Sequence, residues 1–213
     1  MFKKQIKGFT LAEILITLGI IGVIVAITMP SLIQNYKKKE ATTRLKRFNS
    51  IMQQAILMSE AENGDISEWI QNAKTDNITQ TMTTQEFFMN YFSKYLKYLE
   101  IKNPKDTTNR GIIVYLTDSS SFQIYKGSCM DFLYDINGDK NPNIEGRDIF
   151  RFLACPKTGS TLCNGNGGWC SYHTKNDNTR ESRLEKCKNN KLYCSSLLEY
   201  DNWEFKSDYP YRL

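Results

Sequence analysis

The chain has 213 residues, 40% of them hydrophobic and 24% charged, with a formal net charge of +5. That is enough for one core-bearing domain plus a further segment, and a single long apolar run limits the chain to one membrane span. A lone histidine, His173, and no Ser/His/Asp or paired-carboxylate constellation leave little material for acid-base catalysis, so an enzyme is not expected.

Residues 1–8 form a basic leader, with Lys3, Lys4 and Lys7 ahead of Gly8. Phe9 to Met29 is then a run of 21 residues in which Glu13 is the one charged side chain. At about 1.5 Å per residue such a helix spans roughly 30 Å, the thickness of a bilayer's hydrocarbon layer. A charge inside that layer costs about 2.5–3.5 kcal/mol on insertion scales and calls for a named partner. A secretory signal peptide would end in a small-x-small cleavage site, whereas this run ends in VAITMP. A plain anchor explains the length but not Glu13, unless the carboxylate snorkels to the interface.

Lys7, Gly8, Phe9, Thr10, Leu11, Ala12, Glu13 and Pro30, in this register, resemble the N-terminal signal of type IV pilins and type II secretion pseudopilins. The resemblance extends from the leader to just past Pro30. It implies that a prepilin peptidase cuts between Gly8 and Phe9 and methylates the new amine of Phe9. Glu13 then pairs with such an amine during assembly, an opposite charge being what a buried carboxylate requires. Before the cut, the carboxylate lacks that amine. Pro30 matches a proline that many pilins carry in their first helix. The implied partners are the peptidase, homologous subunits in a helical filament, an inner-membrane assembly platform and the lipid bilayer. The implied location is a single pass of the inner membrane, head outside the cytoplasm, and then a pilus or pseudopilus.

Charge alone argues the other way about orientation. Lys37, Lys38, Lys39, Arg44, Lys46 and Arg47 follow the run, and counted by the positive-inside rule they would face the cytoplasm. Long domains translocate largely regardless of charge, and the six cysteines need an oxidising compartment, so the head is expected outside.

Beyond Pro30 the helix is expected to continue as an amphipathic half over residues 30–62, kinked at the proline. Ala41, Leu45, Phe48, Met52, Ala55 and Ser59 recur at spacings of three or four, and Asn63-Gly64-Asp65 ends the pattern. Residues 63–213 form the head. Residues 85–100 (QEFFMNYFSKYLKYLE) predict a second helix, and residues 111–118, 121–127 continuing into 129–136, and 147–154 predict strands. A long helix on a small antiparallel sheet is an α+β fold, which agrees with the pilin-like architecture the resemblance implies.

The loop 135–148, DINGDKNPNIEGRD, supports two readings. Asp135, Asn137, Asp139 and Asn143 stand at the first, third, fifth and ninth positions of an EF-type calcium loop. Gly138 and Gly146 break that pattern, and Asn137-Gly138 with Pro142-Asn143 read as the turns of a plain hairpin connection, which the residues alone favour. The resemblance bears on this too, since major pseudopilins hold calcium in a head loop. Apart from this calcium no cofactor is expected: a zinc site is disfavoured, because there is one histidine, His173, and the spacing Cys163-x6-Cys170-x2-His173 does not match paired knuckles.

Cys129, Cys155, Cys163, Cys170, Cys187 and Cys194 read as a disulfide framework concentrated in a loop-rich tail, residues 155–213. If the strands flanking the loop pair symmetrically about Pro142, Cys129 faces Cys155 and can bridge to it. The pairing of the other four stays open. Asn164 to Gly168 is a glycine-rich loop without the preceding strand that a phosphate site needs. The terminal LLEYDNWEFKSDYPY either covers the sheet or faces a partner.

The sequence therefore predicts a filament subunit. The alternative is a competence-type minor pilin that captures DNA, for which the net charge and Lys186, Lys188 and Lys191 permit phosphate contacts.

Overall fold

The fold is organised around one long helix, and the computed structural model describes residues 8–72, 83–104, 111–157 and 160–213. Helix α1, Leu11–Asn63, has 53 residues and a length of roughly 80 Å at about 1.5 Å per residue. Thr10, in extended conformation, caps its start, and Gly64 ends it with a φ of 81°, a backbone region that disfavours a side chain. Pro30 lies inside this one helix, where its ring removes a hydrogen bond to the preceding turn.

The first half of α1 exposes apolar side chains all round, from Leu11 through Ile33. In the second half Ala41, Leu45, Phe48, Met52, Ala55, Ile56 and Ser59 are buried, the face predicted from the spacing plus Ile56. They pack on an antiparallel meander whose strands lie side by side in chain order. These are β1 Tyr98–Lys102, β2 Ile112–Leu116, β3 Ser121–Lys126, β4 Met130–Asp135, β5 Ile149–Cys155 and β6 Gly168–Ser171.

Phe48 is the pivot of this packing. Its ring stacks on Tyr134 with centroids 3.9 Å apart and planes at 7°, and meets Phe152 and Trp169 edge-on. Polar contacts fix the helix along its axis: Trp169 donates to Asn49 Oδ1 (2.8 Å), Thr42 to the Trp203 carbonyl (2.8 Å) and Arg44 to the Asp118 carbonyl (3.0 Å). Alternation along β5 sends Phe150, Phe152 and Ala154 to this core and Leu153 to the other face, where Cys129, Cys155, Cys163 and Cys170 gather.

Strands β4 and β5 pair as Met130↔Ala154 through Asp135↔Ile149, the register symmetric about Pro142, and Cys129 is bonded to Cys155. Cys163 is bonded to Cys170 and Cys187 to Cys194.

Four local features depart from the sequence expectations. The helix predicted over 85–100 occupies only α3, Thr84–Tyr91, and its second half turns and becomes β1. Phe92 closes α3, after which Tyr98 and Ile101 point inward as β1 pairs with β2, so pairing overrides helical propensity. A short helix α2, Ile66–Asn72, follows the spine. The cysteine-rich tail holds more than loops: α4 Arg180–Asn189, α5 Cys194–Tyr200 and the edge strand β6. The run expected to continue from 121–127 into 129–136 instead folds back on itself as the hairpin β3–β4, Lys126 pairing with Met130. Of the two roles open to the terminal aromatics, they take the first and cover the sheet, with Trp203, Phe205 and Tyr209 packed into the main core.

Candidate functional site

Two stretches predicted to carry function lie at opposite ends of the physical scale, one exposed and apolar, the other polar and partly enclosed. At the first, Gly8 and Phe9 precede α1: Phe9 is 85% exposed, and a Cβ at Gly8 would meet nothing within 4 Å among the described residues. Glu13 closes a capping box with Thr10. Its Oε2 accepts from the Thr10 backbone N–H and hydroxyl, both at 2.8 Å, while its own N–H donates to Thr10 Oγ1 at 3.3 Å. The sequence reading left this carboxylate without a partner until an amine was made at Phe9. The structure gives it a local one, Thr10, the second residue after the expected cut.

From Phe9 to Ile33 no described element of the chain covers the apolar helix. It is the one described helix long and apolar enough to cross a membrane. In water such a surface is unfavourable by roughly 25 cal/mol per Å², so the helix requires lipid or other helices around it. The basic cluster that follows divides. Arg44 and Arg47 are drawn onto the head through Asp118, and Arg44 also pairs with Glu40.

The second stretch joins β4 to β5. Asp135 ends β4 and accepts from the Asn137 N–H at 3.0 Å. Burial, with Asp148 and Asp139 adding to it, pushes the Asp135 carboxyl up to about 7. Asp148 is 4% exposed and accepts from the N–H of Asn143 (2.8 Å) and of Ile144 (2.6 Å). Gly138 has a φ of +66°, and a Cβ there would stand 2.7 Å from the Ser119 carbonyl, so this turn needs glycine. The side chains of Asn137 and Asn143 converge on Asp135, and Asp139 does not: its Oδ1 accepts from the Tyr115 hydroxyl at 2.7 Å. Among the described residues no group of three His, Cys, Asp or Glu is placed to hold a metal. Any ion here would rest on the one carboxylate of Asp135 together with amide and main-chain oxygens, a signal that side-chain spacing alone does not carry.

Behind the sheet, Arg151 is sandwiched between Asp131 (3.0 Å) and Glu145 (2.7 Å), a buried network the sequence did not reveal. Of the lysines considered for DNA, Lys186 is held by Asp177 and Thr174 and Lys191 lies over the Tyr211 ring.

Comparison with known proteins gives two matches. Residues 3–29 match the prokaryotic N-terminal methylation motif. Residues 31–213 match a family of unknown function (DUF6613). No curated protein and no solved structure matches the chain.

Proposed function

Since the chain belongs to that family of unknown function and carries a prepilin-type methylation motif ahead of it, we propose that it is a structural subunit of a type IV pilus or a type II secretion pseudopilus. The observation that carries this reading is the motif match at residues 3–29, a stretch that contains Gly8, Phe9 and Glu13. Two structural facts support it. Among the described residues nothing packs on Gly8, which leaves the bond after it open to a peptidase. The uncovered apolar helix needs neighbours, as lipid supplies before assembly and other subunits supply after it.

In this account the prepilin peptidase cuts between Gly8 and Phe9. The new amine lies one residue before Thr10, whose N–H and hydroxyl already hold Glu13. Glu13 is then offered both a capping partner and a full positive charge, from its own subunit or the next. A carboxylate moving from a lipid boundary into a bundle of helices keeps its charge only if so paired. The disulfide-stapled heads remain outside the bundle.

Glu13→Leu tests the assembly role. It removes the carboxylate half of the capping box and the charge, while Thr10 still caps the backbone, and the expected result is normal membrane insertion with shed or imaged filaments reduced at least about tenfold. Filaments at the parental level would dismiss the pairing. Glu13→Gln separates the two contributions, since the amide keeps a capping oxygen and loses the charge.

A further inference from the structure

We infer that the β4–β5 loop is a binding site for a hard divalent cation, calcium, formed by both carboxylate oxygens of Asp135, the amide oxygens of Asn137 and Asn143, and the main-chain carbonyls of Gly138 and Lys140. The amide oxygen of Asn137 faces the Asp135 carboxylate at 2.8 Å, the Lys140 carbonyl at 2.9 Å and the Gly138 carbonyl at 3.3 Å. The amide oxygen of Asn143 faces the Lys140 carbonyl at 2.8 Å, the other Asp135 oxygen at 3.1 Å and the Gly138 carbonyl at 3.3 Å. These are acceptors facing acceptors. Six such oxygens repel unless a cation lies among them or the amides turn their nitrogens inward.

The spacing identifies the ion. With bonds of about 2.4 Å, as in calcium sites, ligands roughly 72° to 90° apart stand about 2.8 to 3.4 Å from one another. The observed separations of 2.8 to 3.3 Å fall in that window. Magnesium makes shorter bonds and keeps several waters, so a cage built wholly from protein oxygens suits it poorly.

The surrounding loop holds the oxygens in place. Asp148 fixes the backbone of Asn143 and Ile144 and accepts from the Asn137 amide nitrogen at 3.4 Å, which leaves that amide's oxygen facing the cage. Asp148 is thus a positioning residue rather than a ligand. Gly138 brings its carbonyl in through a turn that the Ser119 carbonyl closes to any side chain. Asp139 stands outside, bound to Tyr115. The ligand set therefore differs from EF-type spacing, with two main-chain carbonyls replacing the fifth-position carboxylate. One coordinating carboxylate makes a weak site, with a Kd of about 10⁻⁴ to 10⁻³ M, the range of extracellular calcium modules.

The test uses the full-length protein in detergent micelles, stripped with chelator, and does not depend on processing or assembly. Calcium chloride titrated by calorimetry should give saturable heat in that range and raise the thermal unfolding midpoint, while magnesium chloride should bind at least about tenfold more weakly. Asn143→Asp adds a charge to the cage on an exposed side chain, and should tighten calcium binding about tenfold. If the amides instead donate, the same change sets a carboxylate against three acceptors and produces no such gain. Asp139→Asn should leave the Kd within about twofold. No calcium heat up to about 10 mM from protein with a folded circular dichroism spectrum would overturn the site, and loss of binding in Asp139→Asn would overturn the ligand set.

Discussion

Truncating Phe48 to alanine should release the spine from the head. Phe48 is 2% exposed and its ring lies within 6.0 Å, centroid to centroid, of four others: Tyr134, Phe152, Phe122 and Trp169. Removing a fully buried phenylalanine costs about 3–5 kcal/mol through lost transfer energy and the cavity left behind. The stacked Tyr134 and edge-on Phe152 contacts each add roughly 0.5–1.5 kcal/mol beyond area, which places this site at the upper end, about 4–5 kcal/mol. That is a large share of the 5–15 kcal/mol or so by which domains are stable. Chemical unfolding of the full chain in detergent can be followed by the fluorescence of Trp169 and Trp203, both packed near Phe48 or Phe152. Leu57→Ala, on the exposed side of the same helix at 66% exposure, serves as control and should change stability by no more than about 0.5 kcal/mol. A cost below about 1 kcal/mol for Phe48→Ala, or equal costs for the two variants, would refute the docking described above.

Three further outcomes follow from the head. Chain entropy makes the Cys129–Cys155 bridge, with a separation of 26 residues, worth about 3.5 kcal/mol and each seven-residue bridge about 2.4 kcal/mol, so paired alanine substitutions should lower the unfolding midpoint most at 129 and 155. Arg151→Met leaves Asp131 and Glu145 in a half-closed site without their cation, and should cost roughly 3 kcal/mol in denaturant titration. His173 is buried and its pKa is lowered, chiefly by burial, with Arg183 acting in the same direction. Its folded pKa is below the unfolded value of about 6.5, so its contribution is complete above that pH and is lost as pH falls. The parent should therefore lose stability relative to His173→Gln as pH falls from about 7.5 to 5.5, a difference between the two proteins that leaves out Asp135, whose carboxyl, pushed up to about 7, acts on both in the opposite direction.

What could be read from the sequence was whatever followed a simple period. Ala41, Leu45, Phe48 and Met52 recur at helical spacing because a helix packs on the sheet along one stripe. The β4–β5 register was readable because Cys129 and Cys155 lie symmetrically about Pro142. Residues 93–100 misled because their lysines and tyrosines fit either a helix or an edge strand, and pairing with β2 decides between them. Helix α4 is nearly without apolar residues, so periodicity is silent. It is held by the Thr179 cap, by Arg180 between Asp201 and Asp208, and by the bridge from Cys187 to Cys194. In the β4–β5 loop, side-chain spacing pointed to Asp135, Asn137, Asp139 and Asn143, whereas the approach of the Gly138 and Lys140 carbonyls, the bracing by Asp148 and the turn of Asp139 toward Tyr115 exist only once the loop is folded.

If the chain is made as a precursor, the cut after Gly8 creates the amine that pairs with Glu13. Mass spectrometry of the N-terminal peptide, from cells that carry an active prepilin peptidase, reads that event itself. The expected product is a mature chain beginning at Phe9 with one methyl group on its amine, absent when the peptidase is deleted. A chain that keeps residues 1–8 in the presence of the peptidase, or that is cut elsewhere in the apolar run, would contradict it.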